Sequence, residues 1–447
     1  MEINESIFNV KPYVKLIAYL HSEDLTPEDL IAFGARATIR REDPIILYKE
    51  VLERGILNEV RRRMLDITIG SGHISVLDQA VFTFIFRDIP RLGTLFLVSP
   101  LYLSHLQQSM RYVEPYGVYL PSEILRDKRV KSIVIKSFKL YYAMVSDGIP
   151  KEDARYILPL YTVTNIQTVG NARELTHLIL MAKGRCVPKI IKMLIDMMIQ
   201  EVSKIAPEVF KDRGANYNVL KYYPSPNLFT EDDHISNLAS TYEYPDIKLV
   251  SYNIVFNVKR EELIEALKNE SEELMNLLKH NTYTFLVKMS IAALHQALRQ
   301  RTWMHIVESI YHALNRLEYV IPPEIRRRGW SDKFKEIVEE LYRLYHQLIN
   351  EGYKKSEVIG LISHAHKIYD LIRIDEWNYV NAVPIRRCMR AQWEIRMICN
   401  DISRYISQMN PAIGQYSLPP CRVFGVCPEK RPCEYKDIFL KRKPLIS

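Results

Sequence analysis

The sequence predicts an α+β fold built twice in tandem, each copy a sheet packed with long helices. Three observations predict it: an internal repeat, apolar strand-like runs at matching places in both copies, and long amphipathic stretches after each run. Thr83-Phe84 recurs as Thr284-Phe285, and Leu120-Pro121-Ser122-Glu123-Ile124 recurs as Ile321-Pro322-Pro323-Glu324-Ile325. Residues 99–109 lie over 299–309, Arg185-Cys186 over Arg387-Cys388, and Ala206-Pro207 over Asn410-Pro411. The offset stays between 200 and 204 throughout, so one ancestral domain has been duplicated and fused.

Each element carries its own local signal. Residues 12–19 predict an opening strand, and Thr26 starts a helix whose first turn takes Pro27 and Glu28. Residues 80–90 are apolar and aromatic, as in a buried strand. An apolar helical stretch, a polar block and a Pro-containing turn come next, then helical periodicity over 128–147 and 184–204. The second copy repeats this: strands over 247–252 and 282–290, a helix near Arg260, and helical periodicity over 333–351 and 386–408. Residues 222–245, with Pro224 and Pro226 among Asn, Asp and Ser, predict a linker between domains at 1–221 and 246–447. There is no GxGxxG segment and no P-loop, which argues against a standard nucleotide-binding fold.

Composition narrows the function classes. With 447 residues, 47% hydrophobic and 26% charged, the chain has enough apolar material for two globular cores. The most apolar window, 92–106, is broken by Ser99, Pro100, Ser104 and His105, so no spanning helix is expected. The polar, acidic N-terminus does not resemble a secretory signal, and a cytoplasmic location is the expectation. A net charge of +8 suits phosphorylated small ligands as well as nucleic acid. The arginine runs at 61–63 and 326–328 lack interleaved aromatics and read as solvated surface, so nucleic acid is not favoured. Six cysteines are too few for a disulfide framework. Cys421, Cys427 and Cys433 stand with five residues between neighbours, wider than the CxxC pairs that open most thiolate metal sites. Free thiols in a packed tail are the expectation, and no metal site is assigned.

Two blocks in the second copy carry candidate chemistry. Gln296, Arg299, Gln300 and Arg301 fall within six residues, followed by Ser309. Guanidinium forks bind phosphate bidentately, which makes such a cluster a candidate anion site. Residues 386–396 hold four arginines, a glutamine and a tryptophan. Read as one helix, they put Met389 and Trp393 on one face and Arg386, Arg390 and Glu394 on another. The first copy offers a different set: His73, Ser75, Gln107, Gln108, Ser109, Arg111, Arg155 and Asn171. No Ser/His/Asp ordering or acid pair stands out, which leaves hydrolase chemistry without support.

These residues resemble the flavin-dependent thymidylate synthase family. Gly72-His73-Ile74-Ser75, Val81-Phe82-Thr83-Phe84 and Gln107-Gln108-Ser109-Met110-Arg111-Tyr112 are similar to the family's HxS…FTF segment and the serine–arginine strip after it. Arg299-Gln300-Arg301 is similar to its RHR block, and Arg386-Arg387-Cys388-Met389-Arg390-Ala391-Gln392-Trp393-Glu394-Ile395-Arg396 to its R-x-C-x-RAQWEIR segment. The tail with Cys421, Cys427 and Cys433 resembles tails in the family. The resemblance implies two tandem copies of that family's fold and reductive methylation of dUMP to dTMP. It implies FAD as cofactor, with methylenetetrahydrofolate and NADPH as co-substrates. The family's homotetramers of single-repeat chains imply a homodimer of fused pairs. By the same resemblance Arg386 is the catalytic arginine that activates the pyrimidine. Gln296, Arg299, Ser109, Arg111, Gln108 and Arg155 match dUMP contacts. His73, Ser75, Arg299, Gln300, Arg301, Gln107, Asn171 and Asn381 match flavin-side positions.

Each copy departs from the family pattern. In the first, Ser99-Pro100-Leu101 replaces the arginine block, and no arginine stands at the place of Arg386. In the second, Gln300 replaces the central histidine, Tyr311 replaces the arginine after the serine, and Asp375 stands for the flavin-side asparagine. The losses are complementary, which predicts a composite site drawing on one strip from each copy. The competing expectation is an inactive homologue that retains flavin or nucleotide affinity or serves as a scaffold.

Overall fold

The computed structural model describes residues 4–211 and 223–446. Among them, eight strands form two four-stranded antiparallel sheets, of order β1-β2-β4-β3 and β5-β6-β8-β7. The first sheet comprises β1 (Tyr13–Tyr19), β2 (Val81–Pro90), β3 (Ser104–Gln107) and β4 (Val163–Asn171). The second comprises β5 (Ile247–Asn253), β6 (Thr282–Ser290), β7 (Met304–Val307) and β8 (Lys367–Asp375). The copies match even in a flaw: the β1/β2 register slips between Leu16 and Ala18, and the β5/β6 register between Leu249 and Ser251. The fold is therefore α+β, with the sheet made twice.

Alternation makes the sheets. Phe82, Phe84 and Phe86 of β2 are fully buried while their neighbours are not, so one face packs helices. The helix Lys189–Ser203 lies against β1, and Trp393–Met409 covers β5 and β6 in the second sheet.

The chain splits into two compact units. The first contains 1–225 and 322–363, the second 226–321 and 364–447. The helix Ser331–Asn350 of the second copy thus packs in the first unit beside Lys128–Ser146. Arg129 binds Glu351 at 2.6 Å and Lys136 binds Glu340 at 2.9 Å along that seam. Gly360 approaches Tyr161 so closely that a Cβ there would stand 2.3 Å from its ring.

Two expectations need correction. Within the expected linker, of which residue 222 lies outside the described residues, His234–Thr241 forms a helix that buries Ile235 and Ala239 against β8. Its polar composition hid that apolar face. Residues 386–408 are not one helix: Val383–Arg387 ends at Cys388, and Trp393–Met409 begins after Gln392. The Gln392 side chain accepts from the Glu394 and Ile395 amides at 3.0 and 3.1 Å, capping the second helix. Arg386, Arg390 and Glu394 therefore share no helical face.

Candidate functional site

In the second unit, β6 feeds the short helix Ile291–Ala297, and the motif at 391–396 holds that helix from behind. Glu394, buried, accepts from Ser290 N at 2.7 Å and Ser290 Oγ at 2.6 Å, while Ser290 Oγ accepts from Ala293 N at 3.0 Å. One carboxylate thus fixes the start of the helix that carries Gln296. Tight turns follow, with Gln300 N donating to Ala297 O at 2.8 Å and Trp303 N to Gln300 O at 3.1 Å. Arg299 and Arg301 are exposed on those turns rather than on a helix.

The arginines of 386–396 divide by task. Arg387 donates to Asn400, Ser403 and Ser417 at 2.9, 2.8 and 2.6 Å. Arg390 donates to the Arg431 carbonyl, and Arg396 to the carbonyls of Met389 and Ala391. Arg386 turns the other way. With the Gln300 amide oxygen facing it, Arg386 donates to that oxygen through Nε at 2.6 Å and through Nη2. Burial pulls the Arg386 pKa below its usual value, with Cys399 opposing and the nearby Arg299 charge adding to it. Burial pushes the underlying Cys399 thiol up to about 12. Gln296 Nε2 is buried and finds no partner among the described residues. A desolvated guanidinium, an exposed cation and an orphaned amide donor make a site that favours an acceptor-rich anion.

Asn381 is exposed and donates to Trp377 O at 2.9 Å. Asp375 caps the helix Glu376–Asn381 through Asn378 N at 2.7 Å. Asn171 caps the helix Ala172–Ala182 through Glu174 N in the same way. The two caps are structural equivalents, and each already spends an oxygen on its own helix.

In the first unit the sequence-predicted residues fall at two ends of β4. Gln107 closes β3 opposite Ile166 and donates to Thr94 Oγ1 at 3.2 Å. Gln108 accepts from Asn165 Nδ2 at 3.0 Å, and Ser109 Oγ accepts from Arg111 N at 3.2 Å. Arg111 pairs with Glu152 at 2.6 Å, and buried Arg155 donates to Glu152 O at 3.2 Å. His73 and Ser75 are exposed on the segment before β2, which packs at the Asn171 end. Asn171 stands five residues from Ile166 along β4, about 16 Å at strand rise. The flavin-side pair and the dUMP strip are thus separate in this unit, and Gln107 lies with the latter.

Three groups escaped sequence reasoning. Arg91, buried at the end of β2, has a pKa pushed down to about 9 by burial and by neighbouring Arg155. Its counterpart is Ile291, so the asymmetry was available in the sequence but carried no motif. Glu152 neutralises Arg111 across 41 residues, a contact only folding reveals. His305 Nδ1 lies 2.7 Å from Asp370 Oδ2, both side chains buried, on strands distant in sequence and adjacent in the sheet.

The sheet is built twice, and the second unit sets half-buried Arg386 beside exposed Arg299, a donor set that suits a small anionic ligand. The chain matches the family described as thymidylate synthase complementing protein over residues 15–208 and again over 233–412. It belongs to that family, the flavin-dependent thymidylate synthases, and carries it in tandem. The flavin-dependent thymidylate synthase of Saccharolobus solfataricus is 27% identical over 270 residues, covering 59% of this chain and 98% of the relative. That of Geobacter sulfurreducens is 31% identical over 212 residues, covering 45% and 87%. A UMP/dUMP methylase from Streptomyces cacaoi, solved with 5-Br dUMP, is 19% identical with a TM-score of 0.37, covering 44% and 93%, a likeness too loose to argue from. No described helix is long and apolar enough to cross a membrane.

Proposed function

We propose that this chain is a flavin-dependent thymidylate synthase that converts dUMP to dTMP with FAD, methylenetetrahydrofolate and NADPH. The observation that carries the reading is Arg386, half-buried, aimed by the Gln300 oxygen and next to the charge of Arg299. A guanidinium already partly stripped of water gains more than an exposed one when negative charge develops beside it. Against the N3–O4 edge of a pyrimidine it would stabilise the ring's anionic form, so no protein nucleophile is needed. Gln296 offers its orphaned amide to a carbonyl of the same ring.

The remaining residues position. Ser109, Gln108, Arg111 and Arg155 suit the nucleotide's phosphate and sugar, and Arg111 would exchange Glu152 for phosphate on binding. The exposed cations Arg299 and Arg301 suit the pyrophosphate of FAD, with Gln300, Gln107, His73, Ser75, Asn171 and Asn381 as further flavin contacts. Bound flavin supplies the reducing equivalents. Because the first copy lacks the arginine core and the second lacks the arginine after its serine, one strip from each copy is required. A homodimer of fused chains is the counterpart of a tetramer of single-repeat chains.

The test is to add FAD, titrate dUMP while following the flavin absorption, and then assay dTMP with all co-substrates. A dUMP-perturbed flavin spectrum with dTMP formation supports the reading. A perturbed spectrum without turnover establishes instead a binding homologue, for which the replacement of the central histidine by Gln300 is the specific reason. No response to either ligand overturns both.

A further inference from the structure

Four of the six cysteines lie on segments that pack together in the second unit. Cys388 ends the helix Val383–Arg387, Cys421 lies in the short helix Pro420–Val423, and Cys427 and Cys433 come after it in the tail. Hydrogen bonds close the tail on the Cys388 loop. Arg390, two residues past Cys388, donates through Nη2 to the carbonyl of Arg431, two residues before Cys433, at 2.9 Å. The Leu445 and Ile446 amides donate to the carbonyls of Arg422 and Val423 at 3.2 and 2.9 Å, pinning the helix that holds Cys421. The helix that holds Cys421 packs against Lys436–Leu440, which starts three residues past Cys433, and Arg422 Nη1 donates to the Phe439 carbonyl at 3.4 Å. No disulfide joins them.

We propose that Cys388, Cys421, Cys427 and Cys433 form a four-thiolate centre for a soft metal ion, clasping the tail onto the loop that follows Arg386. Four sulfurs from three separate segments are the donor set of a closed tetrahedral zinc or iron–sulfur site. A divalent ion with four thiolates carries two negative charges. Arg390, Arg422 and Arg431 stand within two residues of a cluster cysteine, against Glu429 and Glu434 at the same separation. A disulfide would satisfy the thiols only in pairs and needs an oxidant. Among the described residues no three potential ligands are already grouped to hold a metal, so binding must draw the sulfurs inward. The chain turns at Gly425, with φ 71°, just before Cys427. Binding releases the thiol protons to solvent, so affinity falls as pH falls. None of this depends on the reaction the protein performs.

The full chain, purified without added metal, is assayed for zinc, iron and acid-labile sulfide, and its reactive thiols are counted before and after chelation. About one zinc per chain, or iron with sulfide, and thiols that become reactive only on chelation are the expected result. Cobalt(II) added to the chelated protein should give thiolate-to-cobalt charge-transfer bands and the visible bands of a tetrahedral ion. Cys421→Ser should lose both the metal and the bands, while Cys186→Ser in the first unit keeps both. If Cys421→Ser fails to fold, Cys427→Ser, on the loop, replaces it. Metal-free protein that gives no cobalt–thiolate bands overturns the proposal, as does a disulfide at Cys421 in peptide maps of unreduced protein.

Discussion

Arg386 is the residue on which the second unit's site turns, because its three neighbours in the motif are committed to the protein's own carbonyls and hydroxyls. Arg386→Ala should lower kcat for dTMP formation by about 10²- to 10³-fold, the usual cost of removing one charge-stabilising donor. Unchanged turnover in that variant would remove Arg386 from the chemistry. The His305–Asp370 pair makes a second residue-scale prediction. Burial lowers the His305 pKa, but the Asp370 charge and hydrogen bond outweigh it and raise the value above 6.5. A histidine raised on folding adds stability that is full below its unfolded pKa and is lost as pH rises through the folded one. The stability gap between wild type and His305→Gln, from urea midpoints, should therefore shrink as pH rises above about 6.5, the ordinary histidine value. A gap that is constant or widens with pH would show that the pair does not hold a proton.

At the scale of elements, polar anchors decide where the short helices sit. Glu376 opens Glu376–Asn381 and accepts from Asn281 Nδ2, Tyr283 OH and Asn410 Nδ2 at 2.7, 2.8 and 2.8 Å, all buried. Glu376→Ala strands those three donors and should destabilise the protein by roughly 3 kcal/mol or more. A change within about 0.5 kcal/mol would mean that the donors find other partners. This network joins β6, the helix after β8 and the chain at 410, which no local pattern could announce.

For the whole molecule, duplication followed by unequal loss makes the two copies non-equivalent. The prediction is one dUMP bound per chain, measured by calorimetry; two per chain would mean that each copy keeps a complete site. Arg111→Glu in the first copy should abolish that binding although the arginine core of the second is intact. Full affinity in the variant would show that the first copy's strip is dispensable.

The strands, the long helices and the doubling were legible because apolar periodicity and self-similarity are local and survive without a partner. The family motifs likewise marked Arg386, Arg299 and Gln296, whose chemistry is written in residue type and spacing. The sequence could not show that 386–396 breaks at Cys388, since the Gln392 cap competes with helix propensity only once Glu394 is held by Ser290. Nor could it pair Arg111 with Glu152, His305 with Asp370, or Arg390 with the Arg431 carbonyl. Those contacts join segments far apart in the chain, and burial and charge act on distance in space. Tertiary structure alone therefore decided which arginine stays available, which carboxylate neutralises Arg111, and where the tail closes on the loop after Arg386.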